Sequence, residues 1–270
     1  MKASVGFPLV TKHAYAAAAL QNTAFKGISD GRYTVKPALT LKEVQTALRL
    51  RFEVFNVELA HAEASDSSPQ LEFDAYDFKC GHLIVVENST NKTVGTYRLN
   101  SMESAENTRG FYAYNEFSIE DLPHEVLEQG IEIGRACIAP EHRNTKVLFL
   151  LWKGLANYLM ETDKRFFFGC CSIFTRDAFV GERAYRQLVD GGHFHKTFRV
   201  EPRKNGLYYS EHAPEIGDAV ELPSLFNMYL RIGAKVCGPP MIDHDFGTID
   251  FFVVFDVEKI TEKYRKMFFS

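Results

Sequence analysis

No Cys-x-x-Cys pair occurs in this 270-residue chain, and its five cysteines are odd in number and scattered. That excludes the disulfide framework that staples small secreted domains. No apolar run approaches the length of a membrane span, and the first residues carry Lys2 without a signal-length hydrophobic stretch. A reducing, cytoplasmic setting is therefore expected, with peripheral contact at the inner membrane face left open. Charge of one sign is not in excess either. The balance of 31 Lys and Arg against 35 Asp and Glu, net −4, gives no global drive toward nucleic acid. Repeats and low-complexity tracts are missing apart from the short alanine run at 16–19. His142, His193, His195, Asp243, His244 and Asp245 show none of the helical or knuckle spacings of zinc motifs, so no metal is expected.

What remains is an ordinary globular composition, 46% hydrophobic and 24% charged, at a length that buries a substantial core. The 23 Phe and 12 Tyr offer bulky lining for that core or for a lipid slot. Residues 1–35 read as an extension, with a helix over 13–25 and a loop at Gly27 to Gly31. Leu41, Val44, Leu48, Phe52, Phe55 and Leu59 recur at three- and four-residue steps, predicting one amphipathic helix capped by Thr40. A polar loop over 63–70 follows. His82 to Glu87 and Val94 to Asn100 read as a hairpin, and Ile131 to Ile138 as a further strand. Leu148 to Leu159 is an amphipathic helix, Phe166 to Ser172 a buried strand, and 175–190 a helix stopped by Gly191 and Gly192. An irregular, partly basic insert spans 193–221. A short helix over 225–232, a strand over 251–256 and a helix over 258–268 complete the chain. The order predicts a single mixed α/β domain over 36–270, its sheet flanked by helices.

The stretch from Glu132 to Asn144 is the most informative. A strand runs into a loop carrying Arg143, Asn144, Thr145 and Lys146, and a helix starts there. Such a helix start presents backbone N–H groups and a positive dipole end, which suits a phosphate. Strand alternation sets Glu132 and Gly134 on one face, Arg135 and Cys137 on the other. A carboxylate on a half-buried strand is costly unless paired. On spacing alone, Glu132 and Arg135 read equally well as chemical groups or as members of structural ion pairs.

Glu132-x-Gly134-Arg135-x-Cys137-x-x-Pro140-x-x-Arg143-Asn144, followed by Leu150-Leu151-Trp152-Lys153-Gly154, resembles the ornithine-lipid N-acyltransferases, a hemolysin-like branch of the GNAT superfamily. The resemblance continues through Phe168 to Ser172, Tyr229 to Val236, Ile242 to Phe246 and Asp250-Phe251. More distantly, Arg51, Phe55, Asp74, Asp77, Arg98, Glu132 and Arg135 match a charged signature of the acyl-homoserine-lactone synthases, and the chain is similar to N-acyl amino acid synthases. The resemblance implies a splayed GNAT-like sheet, with the thioester arm entering between central strands. It implies that Arg51, Phe55, Asp74, Asp77 and Arg98 line the amino-acid side. Glu132, Arg135, Cys137 and Ile138 then form the catalytic group: Glu132 as base, a backbone N–H near Cys137 or Ile138 for the oxyanion, and Cys137 not as a nucleophile. Arg143 to Lys146 hold the donor phosphate.

That loop departs from the acetyltransferase pattern because it contains no glycine, so close wrapping of a pyrophosphate is disfavoured. The expected donor is acyl carrier protein, with acyl-CoA as the alternative, and no permanently bound cofactor. Lys153, Lys164, Arg165, Arg199, Arg203 and Lys204 are candidates for docking an acidic carrier. The expected reaction moves a long, 3-hydroxylated acyl chain to the α-amine of an amino acid, ornithine first and glycine or another second. Acyl-homoserine-lactone synthesis, or a non-enzymatic membrane-active or regulatory binding role, are the alternatives.

Overall fold

Residues 25–59, 70–106, 110–207 and 219–269 are described by the computed structural model, and every structural statement concerns these. The expected helix over 13–25 and loop over 63–70 fall almost wholly outside them, as does the middle of the 193–221 insert. The described residues gather into two compact units. One holds the residues up to Gly110 with Ile133–Lys164, the other Phe111–Glu132 with Arg165–Phe268.

In the first unit, Thr40 starts helix α1 (Leu41–Arg51) through a capping box. Its Oγ1 accepts the Glu43 N–H at 3.2 Å, and Glu43 Oε2 accepts the Thr40 N–H at 3.1 Å. Val44, Ala47, Leu48 and Arg51 form its buried stripe. The expected helix to Leu59 is present, but from Phe52 to Glu58 it widens to π geometry, with the Leu59 N–H on the Val54 carbonyl at 3.0 Å. Apolar spacing carries no mark of that change.

Strands β1 (Ile28–Ser29), β2 (Tyr33–Pro37), β3 (Gly81–Glu87) and β4 (Lys92–Ser101) form an antiparallel ladder, with β5 (Gly130–Ile138) next in order. β3 and β4 are the expected hairpin, interrupted by a bulge at Val85 and Val86. β1 and β2 fall in the stretch read as an extension, yet Tyr33 and Val35 are fully buried. After the short helix α2 (Met102–Ala105) and, in the other unit, α3 (His124–Glu128), the chain reaches α4 (Thr145–Glu161). α4 lies close against β2 and β3, where only a glycine fits. A Cβ on Gly154 would stand 2.6 Å from Val35 and 2.8 Å from Leu83.

The second unit is built on β6 (Phe166–Ile173) and β9 (Thr248–Asp256), antiparallel over eight residue pairs. The first residues of β5 run parallel to β6, Gly130 to Glu132 opposite Phe166 to Phe168. β7 (Lys235–Val236) and β8 (Met241–Asp243) pair with β9. Helices α5 (Ala178–Asp190), α6 (Ser224–Ile232) and α7 (Glu262–Phe268) complete it. Asp177 caps α5 by accepting the Phe179 N–H at 2.9 Å. Phe111, Phe168, Phe252 and Phe117 stack in series with ring centroids 4.9 to 6.0 Å apart. Much of the aromatic content thus fills a core. Among the described residues no helix is long and apolar enough to cross a membrane.

Gly154→Ala is expected to destabilise the protein by about 1–3 kcal/mol through overpacking. A thermal melt should show this as a lowered midpoint.

Candidate active site

Three arginines and three carboxylates from separate elements of the first unit meet in one network. Arg51, at the end of α1 and 1% exposed, donates to both oxygens of Asp77 at 2.6 and 3.0 Å and also to Glu72. Arg98 of β4 donates through Nη1 to both Asp74 oxygens at 2.7 Å and to Asp77 at 3.3 Å. Arg135 of β5 lies 3.4 Å from Glu72 and 3.3 Å from Asp74. Turn geometry holds the acids, with the Asp74 N–H on Asp77 and the Tyr76 N–H on Asp74, both at 2.8 Å. The charges cancel, which is what allows so many to be buried. Arg51 and Arg98 hold Asp77 far below the usual carboxylate range despite its burial.

Arg135 reaches this network by breaking strand alternation. Its φ of +51° is a left-handed conformation uncommon for a non-glycine residue, and it re-aims the side chain. Arg51, Asp74, Asp77, Arg98 and Arg135 are therefore brought together as the sequence suggested. Phe55 sits half-buried in the π-helical turn. Glu72 joins the network although it entered the sequence reading only as part of a quoted motif. His82 was missed. It is fully buried on β3, with Nε2 3.1 Å from the Asp77 carbonyl. Burial lowers its pKa to about 4. A histidine inside an apolar strand run gives no signal of this in sequence.

At the other end of β5, Cys137 is buried and its thiol is pushed up to about 12 by burial, which leaves no thiolate for nucleophilic attack. Arg143 donates to both Glu58 oxygens at 2.6 Å and to the Ile138 carbonyl at 3.1 Å. Asn144 caps α4, accepting the Lys146 and Val147 N–H groups at 3.1 Å. The helix start is thus partly satisfied from within. The Arg143–Glu58 pair, 44% and 33% exposed, is open to water and can exchange partners at little cost.

In the second unit, Glu132 is 7% exposed and accepts the Tyr112 N–H at 2.8 Å and the Ala113 N–H at 2.7 Å, one on each oxygen. These donors start the single 3-10 turn Tyr112–Asn115. Just past that turn stands Glu116, 3% exposed, which sequence reading did not single out. Its carboxyl is pushed up to about 7 by burial and then by the charge of Asp250, against hydrogen bonds from Cys170 and Tyr112. Glu116 lies in an irregular stretch without periodicity, so only the fold reveals its company. Asp243 caps its own turn as the sequence allowed, accepting the Asp245 and Phe246 N–H groups at 2.8 and 3.0 Å.

Residues 50–153 match the acetyltransferase (GNAT) domain family. Across 255 residues the chain is 30% identical to an L-ornithine N(alpha)-acyltransferase of Brucella abortus (strain 2308), covering 87% of this chain and 88% of that protein. It is 28% identical to an L-ornithine N(alpha)-acyltransferase of Agrobacterium fabrum (strain C58) over 87% of this chain and 84% of that protein. The AHL synthase LasI overlays with a TM-score of 0.49 at 13% identity, covering 88% of this chain and 96% of that one, too loose a likeness to bear on function.

Asp77→Asn should cost about 3–5 kcal/mol, because it strands buried Arg51. Asp74→Asn, at a side chain 24% exposed, should cost less in the same chemical denaturation series. Two groups shift stability with pH in opposite senses. Glu116 is raised from 4.5 to about 7, so its contribution is full below pH 4.5 and is lost as pH rises through 7. Glu116→Gln should therefore gain on the wild type across that window, by on the order of 2 kcal/mol above it. His82 is lowered from 6.5 to about 4, so its contribution is present above pH 6.5 and is lost as pH falls through 4. His82→Gln should flatten that acid limb in melts recorded from pH 4 to 8.

Proposed function

The chain belongs to the L-ornithine N(alpha)-acyltransferase family, and we propose that it transfers a long, 3-hydroxylated acyl group from acyl carrier protein to the α-amine of ornithine. It is an N-acyltransferase with a GNAT-like domain. The observation that carries the ornithine reading is the 30% identity, over most of both chains, to a protein named for that acceptor. The carrier-protein reading rests on the loop from Arg143 to Lys146. It has no glycine to wrap a pyrophosphate. A single phosphate is the lesser demand, and Arg143 can meet it by leaving Glu58. The acidic carrier would dock on basic side chains such as Lys146 and Lys153, and any contact with the inner membrane face would be peripheral.

In this reading the acceptor ammonium loses a proton, and the free amine attacks the thioester carbonyl. The C–N bond forms as the C–S bond breaks, and the pantetheine sulfur leaves as a thiol. Glu132 serves as the base, directly or through a water. Each of its oxygens accepts one backbone N–H and keeps a second lone pair for the incoming proton. A backbone N–H at Cys137 or Ile138 stabilises the oxyanion. The Cys137 thiol takes no covalent part. Arg51 and Asp77 are too enclosed to touch substrate and act by positioning Asp74, Arg98 and Arg135 on the acceptor side.

The purified protein, incubated with 3-hydroxyacyl carrier protein and a panel of amino acids, should yield N-acyl ornithine by mass spectrometry. A lactone product, or no acylated amine, would overturn the reading. Matched carrier-protein and coenzyme A thioesters should favour the carrier, and clear preference for coenzyme A would remove that part. Glu132→Gln should lower kcat by roughly 10²–10⁴-fold with donor binding retained. Full turnover in that variant would take the base role from Glu132.

A further inference from the structure

Three carboxylates of the second unit converge without any role in the steps above. On β8, Asp243 stands opposite Thr248, and Asp250 lies two residues along β9, so both acids share one face of the ladder. The Thr248 hydroxyl donates to Asp250 at 3.3 Å. Glu116 comes to the same place from beyond the 3-10 turn. One oxygen from each of the three lies within 4.8 Å of the others. Glu116 is 3% and Asp250 4% exposed. Glu116 Oε2 has no hydrogen-bond partner, although Cys170 and Tyr112 bond the same carboxyl group. A buried carboxylate oxygen left unpaired costs free energy that a bound donor would recover. The charges acting most strongly on Glu116 are Asp250 and Asp243, both negative. The network of the first unit balances its acids with three arginines; this group calls for a cation from outside.

We propose that Glu116, Asp243 and Asp250 form a binding site for an organic ammonium, and that it takes the side-chain ammonium of the acceptor amino acid. The second half rests on the function proposed above. An ammonium fits the spacing. Oxygens accepting from one –NH₃⁺ at about 2.8 Å along tetrahedral directions stand about 4.6 Å apart. Octahedral Mg²⁺ at about 2.1 Å would hold neighbouring oxygens about 3 Å apart.

The site is also placed to serve Glu132. Tyr112 gives its backbone N–H to Glu132 and its side chain to Glu116, so the two carboxylates stand about one side chain apart. That matches the separation of an α-amine from an ammonium three methylenes away. Cys170 lies between them, its thiol raised first by burial and then by Glu116, Asp250 and Glu132. The adjoining rings of Phe117, Phe168 and Phe252 are apolar, as a methylene stem requires. An arriving ammonium would draw Glu116 into its ionised form and release a proton.

The test compares L-ornithine with L-norvaline, which has the same carbon chain without the ammonium. Wild type, Asp250→Asn and Asp243→Asn are assayed with the acyl donor, each variant checked by melting. Wild type should favour ornithine in kcat/KM by roughly thirtyfold or more, the scale of one buried charge pair. That ratio should fall at least tenfold in both variants. An unchanged ratio in variants that melt as folded proteins would overturn the site while leaving acyl transfer standing. Calorimetric titration without donor keeps the two ideas separate. If no acyl transfer occurs, ornithine binding that both variants lose still supports the ammonium site, while the function proposed above fails. Titration with MgCl₂ or CaCl₂ supplies the last arm. Metal binding that the variants abolish, with ornithine binding unaltered, would overturn the proposal in favour of a metal ion.

Discussion

The bidentate pair between Arg51 and Asp77 is the interaction on which the first unit depends. Both side chains are almost wholly enclosed, and an isolated charge in that position would not survive desolvation. Each must therefore be answered in full, and the answer recruits Glu72, Asp74, Arg98 and Arg135 from a loop and two strands. The same demand explains the left-handed backbone at Arg135. A strand residue in regular alternation would point elsewhere, and the pairing gained offsets the local strain. Because three cations meet three anions, Asp74 and Asp77 carry no surplus charge toward a cationic substrate. Attraction for an acceptor ammonium then falls to carboxylates without arginine partners, and those of the second unit fit.

The second unit handles its acids by another route. Glu132 is answered by two backbone N–H groups, so it sits buried as part of a turn. Glu116 has neighbours of its own sign and holds its proton to about pH 7. Two glutamates three residues beyond and twenty beyond the same tyrosine thus receive opposite treatment from the fold. Environments that separate like groups in this way are the usual mark of a site where protons or charged ligands are exchanged.

Much of this was legible in the sequence because it rests on short-range rules. Thr40 with Glu43 announces a helix start, the alternating runs around Asn88 to Lys92 announce a hairpin, and Asn144 announces the start of α4. The charged residues Arg51, Asp74, Asp77, Arg98 and Arg135 could be grouped through resemblance, and the fold does group them. What escaped depends on long-range placement. The π turn after Arg51 has the same apolar spacing as an α-helix. Tyr33 to Pro37 is a short strand with a lysine and a proline, and only its partner β3 buries it. Glu116 and Asp250 are 134 residues apart in sequence, and β8 and β9 must form before Asp243 and Asp250 share a face.

The central claim is that carboxylate placement decides which amine of the acceptor reacts: Glu132 serves the α-amine while Glu116, Asp243 and Asp250 hold the other as an ammonium. The most direct measurement uses ornithine labelled with ¹⁵N at the α-amine alone, followed by NMR of the acylated product. The account predicts an amide proton coupled to ¹⁵N, with the side-chain amine unmodified. An amide on the unlabelled side-chain nitrogen would contradict it.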